Sequence, residues 1–293
     1  MPRKITVIVN PGSGQPKPIL HTLNSVFRPA GVEWEIHLTH KSGDAERFAH
    51  GAVEKGVDVI AAFGGDGTMM EVARGVMGTQ IPMAILPGGT ANLMSVELGV
   101  PKDLDKATQI AANPDSKVKS IDVGDANGTF FMLRVGLGIA AEKVEIADRE
   151  MKDRYGIMAY SIAALKAMKD SKPVKYYFKL DGQEVEEEGV TCLVDNAGNF
   201  GVAGFTASKA ISVEDGLLDV LLVRDRGFRS FVAVSKSIAK STPTDETVHH
   251  WQAKEIEINT DQPQSIQIDG EVGWQTPVKI KVVPGAVNVL TGS

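Results

Sequence analysis

The chain has 293 residues, 43% hydrophobic and 23% charged, with a formal charge of −6. This is soluble globular composition, enough for one large domain or two ordinary ones, and its acidic balance gives no support to nucleic-acid binding. No run approaches the ~18 consecutive apolar residues of a spanning helix, so the expected location is cytoplasmic, with any membrane contact peripheral and at the inner face.

Residues 5–9 form a short apolar run, read as a buried strand and broken by Asn10-Pro11-Gly12-Ser13-Gly14. Leu20, Leu23, Val26 and Phe27 recur at helical spacing, and Gly31 ends that helix. Val32, Trp34, Ile36 and Leu38 alternate with polar residues, a strand period, before Ala45, Phe48, Ala49, Ala52 and Val53 return to the helical one. A strand at 57–63, a helix at 69–76 and a strand at 81–86 follow. Strand–helix alternation of this kind predicts a doubly wound, mostly parallel sheet. Near residue 120 the pattern changes. Asn127-Gly128, Asp181-Gly182, Asp215-Gly216 and Asp269-Gly270 punctuate strand-like runs at 174–180, 190–194, 217–223, 256–259, 265–268 and 278–283. Helices are predicted at about 146–169 and 228–240. The second part reads as mostly antiparallel β.

Three glycine-bearing breaks follow strands of the first part: Asn10–Gly14 residues, Gly64-Gly65-Asp66-Gly67, and Pro87-Gly88-Gly89-Thr90-Ala91-Asn92. Thr68 and Glu71 have capping-box spacing, which places the second break immediately before a helix. Each break alone reads equally well as a tight turn. Together, at one edge of a parallel sheet, they suit a phosphate cradle of exposed N–H groups. A Walker A loop is absent, while Gly136-Leu137-Gly138-Ile139-Ala140-Ala141 fits a dinucleotide fingerprint and supports a rival oxidoreductase reading.

Asn-Pro-x-Ser-Gly, Gly-Gly-Asp-Gly-Thr, and Pro-Gly-Gly-Thr-Ala-Asn-Leu followed by Leu98-Gly99-Val100-Pro101 resemble the diacylglycerol kinase catalytic family, which includes bacterial lipid kinases and sphingosine and ceramide kinases. The likeness continues through Tyr155-Gly156, Ala159-Tyr160, Asp215-Gly216-Leu217-Leu218-Asp219-Val220 and Asp269-Gly270-Glu271, nearly the whole chain in order. The resemblance implies an α/β ATP-binding domain (NAD kinase/phosphofructokinase-like) at 1–120, with 284–293 returning to it. It also implies a lipid-substrate β-sandwich domain at 121–283, with the family's active site expected between the two.

The resemblance also assigns roles. ATP contacts fall on Asn10, Pro11, Gly12, Ser13, Gly14, Thr39, Gly64, Gly65, Asp66, Gly67, Thr68, Met69, Met70 and Thr90. Glu271 maps to the base, with Asp269 beside it in the catalytic motif. Mg²⁺ maps to Ser212, Asp215 and Leu217. The implied partner is a lipid substrate at the membrane surface, and a homodimer is compatible with the chain. A catalytically inactive regulator, a kinase of a soluble alcohol, and an NAD kinase remain alternatives. Met70, Leu93 and Ala140 stand where many members carry Asn, Asp and Asp, which bears on the acceptor and on activity.

Bland readings accompany the remaining candidates. The Asp269-Gly270 tip is by itself an ordinary hairpin signal, and Asp215-Gly216 an ordinary turn. Cys192 reads as a buried thiol, His249 and His250 as surface residues, and Glu184, Glu186, Glu187 and Glu188 as a solvated turn. The apolar segment 157–168 reads as a packed helix, or as one that admits a lipid tail.

Overall fold

The computed structural model describes residues 2–14, 17–138, 172–199, 211–224 and 248–292. The chain divides into two units, residues 1–121 with 285–293, and residues 122–284.

The first unit alternates strands and helices: β1 (Lys4–Val9), α1 (Ile19–Phe27), β2 (Glu33–Leu38), α2 (Asp44–Glu54), β3 (Val59–Gly64), α3 (Asp66–Val76), β4 (Met83–Pro87), α4 (Leu93–Glu97) and α5 (Leu104–Ala112). The strands pair in parallel in the order β2-β1-β3-β4. Every residue of β3 is buried, as expected of a central parallel strand covered on both faces. The helical stripes supply the cover: Leu23 and Phe27 from α1, Ala45, Ala49 and Ala52 from α2, and Met69, Val72, Ala73 and Val76 from α3. From β1 the chain moves to one side to form β2, then returns to the other side of β1 to form β3. The order therefore reverses between β1 and β3, and a doubly wound sheet presents its ligand crevice outside the C-terminal ends of such strands.

The second unit is antiparallel. It continues β5 (Lys117–Ala126), which begins in the first unit, then β6 (Thr129–Phe131), β7 (Arg134–Gly138), β8 (Val174–Leu180), β9 (Gln183–Gly189), β10 (Thr191–Asp195), β11 (Leu218–Val223), β12 (Val248–Ala253), β13 (Glu255–Thr260), β14 (Ser265–Ile268), β15 (Glu271–Gln275) and β16 (Val278–Thr291). One sheet runs β12-β11-β10-β7-β14-β15, and the other pairs β16, β13, β8 and β9. Strand β8 shows the cause of the two layers. Val174, Tyr176, Phe178 and Leu180 face inward and alternate with exposed Lys175, Tyr177 and Lys179. Those inward residues meet Val135, Leu137, Cys192, Val194, Val220 and Leu222 of the other sheet in one core. Strand β16 leaves this unit after Pro284 and pairs in parallel with β4 through Val289.

The predicted fold class, a mostly parallel α/β half followed by an antiparallel half, is what forms. The Asn127-Gly128, Asp181-Gly182 and Asp269-Gly270 pairs all sit at hairpin tips with positive φ, joining β5 to β6, β8 to β9 and β14 to β15. Two local expectations are corrected. Helix α3 starts at Asp66, so Thr68 lies inside its first turn and makes no capping box; Gly65 is the N-cap. The glutamates at 184–188 belong to strand β9, where cross-strand pairing with β8 holds them extended. The predicted helices at 146–169 and 228–240, including 157–168, lie outside the described residues.

Candidate functional site

The loops after β1, β3 and β4 converge. The Asn10 N–H donates to the Phe63 carbonyl at 2.9 Å, and the Asn10 side chain bridges both ways. Its Nδ2 donates to Thr68 Oγ1 at 3.1 Å, and its Oδ1 accepts the Gly12 N–H at 3.0 Å. The Gly88 and Gly89 N–H groups donate to the Gly64 carbonyl at 2.9 and 3.0 Å. Asp66 Oδ1 accepts the Met94 N–H at 3.2 Å, tying the start of α3 to α4. Asn92 closes the third loop on itself: its Oδ1 accepts the Gly89 N–H at 2.9 Å and its Nδ2 donates to the Gly89 carbonyl at 2.7 Å. Lys17 Nζ donates to the Pro87 carbonyl at 2.8 Å.

Glycine is required by this crowding. A Cβ on Gly14, whose φ is +65°, would stand 1.9 Å from the Gly88 carbonyl oxygen, and one on Gly89 would stand 2.5 Å from the Gly65 Cα. Real side chains do not tolerate such separations, so the bare backbone here is a packing necessity as well as a means of exposing N–H groups.

Beside these loops, at the strand-order reversal, lies an open cleft of ≈ 520 Å³. It gathers Asn10, Pro11, Gly12, Thr39, Gly67 and Thr68 from the predicted set. It also includes His40, Lys41, Ser42, Ala45 and Glu71, none of which the sequence placed at a ligand site. Glu71 is the tie between two walls: its carboxylate accepts from Ser42 Oγ and from the Ala45 N–H, both at 3.1 Å. Asp44 shapes the same wall by accepting the His40 and Lys41 N–H groups at 2.9 and 3.1 Å. The Arg47 guanidinium at 2.8 Å, with those N–H groups, holds the Asp44 carboxyl down at about 2. The spacing of Glu71 suggested a cap for its own helix, and the structure turns it to the start of α2 instead. Ser13, Gly14, Gly64, Gly65 and Asp66 belong to the loop cluster rather than to the cleft lining. Met69 and Met70 are buried, so only their main chain is available to a ligand, and Thr90 is exposed on the third loop.

In the second unit the catalytic-motif residues sit at the β14–β15 tip. Glu271 opens β15 and is exposed. Asp269 is half-buried, and its carboxylate accepts three consecutive main-chain N–H groups, from Met132 at 2.8 Å, Leu133 at 3.0 Å and Arg134 at 2.8 Å. Burial nevertheless lifts its carboxyl to about 6. At the predicted metal residues, Ser212 Oγ accepts the Glu214 N–H at 3.2 Å and Asp215 Oδ1 accepts the Leu217 N–H at 3.0 Å. Burial raises the Asp215 carboxyl, as do the charges of Asp219 and Asp122. Among the described residues no cluster of three or more His, Cys, Asp or Glu is disposed to hold a metal.

The remaining candidates resolve as follows. Gly136 and Gly138 are residues of β7, paired antiparallel with β10, rather than a strand-to-helix turn; Ile139, Ala140 and Ala141 lie outside the described residues. His249 and His250 are not free surface residues. His249 Nδ1 lies 3.3 Å from Glu187, and His250 Nε2 lies 2.5 Å from the buried Asp219. Cys192 is fully buried, and burial pushes its thiol up. No helix among the described residues is long and apolar enough to cross a membrane.

A model of the diacylglycerol kinase catalytic domain matches residues 4–126, and a model of the YegS C-terminal NAD kinase beta sandwich-like domain matches residues 134–291. The diacylglycerol kinase of Bacillus subtilis (strain 168) is 27% identical over 282 residues, 94% of this chain and 92% of that protein. An uncharacterized Synechocystis protein is 32% identical over 264 residues, 87% of this chain and 60% of that protein. A crystal structure from Bacillus anthracis, described as a candidate diacylglycerol kinase, superposes with a TM-score of 0.81 at 31% identity, covering 99% of this chain and 97% of that one.

Proposed function

The chain belongs to the diacylglycerol kinase catalytic-domain family, whose chemistry is phosphoryl transfer to an alcohol, and from that premise we propose that it is an ATP- and Mg²⁺-dependent lipid kinase. The acceptor is a hydroxyl of a diacylglycerol-like, phosphatidylglycerol-like or sphingoid lipid, reached at the cytoplasmic face of the membrane. The observation that carries this reading is the convergence of three glycine loops at the strand-order reversal, next to the cleft lined by Asn10, Thr39 and Thr68.

The N–H groups at the N-terminal end of α3 suit a triphosphate, because they present partial positive charge to an anion without intervening side chains, while those of Gly12, Gly88 and Gly89 hold the surrounding loops in place. Glu271 acts as the base. It accepts the proton of the acceptor hydroxyl as that oxygen bonds to the γ-phosphorus and the bond to the bridging oxygen breaks, releasing ADP. Ser212, Asp215 and Leu217 offer only oxygen donors, the kind Mg²⁺ takes, and Asp215 already lies in the negative field of Asp219 and Asp122. Bound there, Mg²⁺ would supply positive charge against that field.

Incubation with labelled ATP and a mixed lipid extract tests the reading, with the labelled product identified. Transfer to a lipid is expected, and Glu271→Ala should abolish it while ATP still binds. Transfer only to a soluble acceptor would replace the lipid by a soluble alcohol, and ATP binding without transfer to anything would leave a nucleotide-binding regulator.

A further inference from the structure

We propose that Asp269 is a positioning residue that fixes Glu271, gripping the β6–β7 bend so that the hairpin tip carrying the base has one geometry. This rests on the kinase reading above.

An exposed glutamate at the end of a short hairpin has little to hold it. Glu271, Val272 and Gly273 are all exposed, and only the two-residue tip Asp269-Gly270 separates Glu271 from Ile268, its partner across the hairpin. Turn chemistry alone does not explain an aspartate there, because Asn-Gly serves a tip with two positive φ angles at least as well. What asks for a carboxylate is the remote segment. Three successive N–H groups, those of Met132, Leu133 and Arg134, point at one side chain, and an acceptor-only group with two oxygens can take them all. The Asp269 N–H returns a bond to the Arg134 carbonyl at 3.0 Å.

The bend is itself anchored from the opposite side. Asn196 donates its N–H to the Leu133 carbonyl at 2.9 Å and its Nδ2 to the Met132 carbonyl at 2.8 Å. The Arg134 guanidinium reaches Asp195 at 3.0 Å and the Asn199 carbonyl at 2.7 Å. The tip is therefore tied through Asp269 to a bend that is tied to the end of β10. Asp181, at the β8–β9 tip, makes a similar grip on the Lys254 and Glu255 N–H groups, at 3.0 and 2.8 Å, but has no candidate base beside it. It is the internal control.

The test is a double-mutant cycle on the full chain, measuring kcat, the KM for ATP and ATP affinity for wild type, D269N, E271Q, the double variant and D181N. D269N puts an amide NH₂ against N–H donors. It should lower kcat by about 10- to 100-fold, the scale of a 1 Å misplacement, with ATP affinity unchanged. In the E271Q background, whose residual turnover is followed in single-turnover runs with enzyme in excess, the same change should cost nothing more, because it acts through the missing carboxylate. D181N should leave kcat unchanged. If D269N fails to fold, D269E, which keeps the acceptor on a longer arm, enters the same cycle. Equal losses in both backgrounds, or wild-type turnover by D269N while E271Q is inactive, overturn the proposal and leave the kinase reading standing. E271Q turning over like wild type, or no transfer by wild type to any lipid, removes both.

Discussion

Gly65 and Gly89 face each other across the loop cluster, and the contact is asymmetric in a way that can be measured. A Cβ added to Gly65 meets the Gly89 Cα at 3.6 Å, an ordinary van der Waals contact, whereas one added to Gly89 meets the Gly65 Cα at 2.5 Å and the Gly65 nitrogen at 3.2 Å. Carbon atoms rest at about 3.5–4 Å, so Gly89→Ala forces two main-chain segments roughly 1 Å apart. The Asn92 side chain, whose Oδ1 would lie at 3.1 Å, can yield, but the Gly65 main chain is the closest obstacle. Overpacking of this kind costs about 1–3 kcal/mol, and for a unit of this size each kcal/mol is worth about 2–4 °C of melting temperature. Gly89→Ala should therefore melt roughly 2–12 °C below wild type, while Gly65→Ala stays within about 0.5 kcal/mol, the scale of a substitution that meets no obstacle. Paired thermal melts, backed by urea midpoints, read this directly. Gly67→Ala isolates the phosphate question. Gly67 lines the cleft, and a Cβ there meets nothing within 4 Å, so ATP affinity should fall without loss of stability. Equal melting temperatures for the Gly65 and Gly89 variants would refute the loop geometry, and undiminished ATP affinity in a stable Gly67→Ala would refute the cradle.

Asn10→Ala removes the bridge to Thr68 Oγ1 and the acceptor for the Gly12 N–H. At about 1 kcal/mol per bond, isothermal titration should show ATP affinity lower by about tenfold or more; an unchanged affinity would mean the bridge does not shape the site. Asp269 predicts a pH dependence of stability. Its carboxyl is lifted from 3.8 to about 6 in the folded chain, so between those values the folded state holds a proton the unfolded state has released. Its contribution is present at low pH and is lost as pH rises through that window. Urea midpoints of wild type should fall across it relative to D269N, and a relative rise would contradict the assignment. Cys192 should resist a thiol reagent in native buffer and react once per chain in denaturant; rapid native labelling would place it outside the core.

Local chemistry made much of this protein legible before any coordinates. Val-, Ile- and Ala-rich runs broken by glycine predicted the parallel strands because a strand covered on both faces needs apolar residues at every position, as in β3. Asn127-Gly128, Asp181-Gly182 and Asp269-Gly270 predicted hairpin tips because few other residue pairs accept two positive φ angles. The three glycine breaks were visible for the same reason. Other features depend on what a side chain meets across space, which spacing along the chain does not encode. Glu71 has the spacing of a cap yet turns to Ser42 and Ala45 on another helix. His249 and His250 read as surface residues, yet meet Glu187 and Asp219 only because β9, β11 and β12 come to lie near one another. Asp269 read as an ordinary turn residue or as a member of the catalytic motif, and its three N–H donors lie well over a hundred positions away in the chain. Sequence alone determined most strands of the first unit, helices α1 to α3 and the Asn-Gly and Asp-Gly tips, because those follow from side-chain shape and main-chain conformation within a few residues; β9, read as a turn, is extended only through its pairing with β8. Tertiary structure alone decided which polar groups satisfy one another, because a buried donor accepts whichever partner the fold brings within reach.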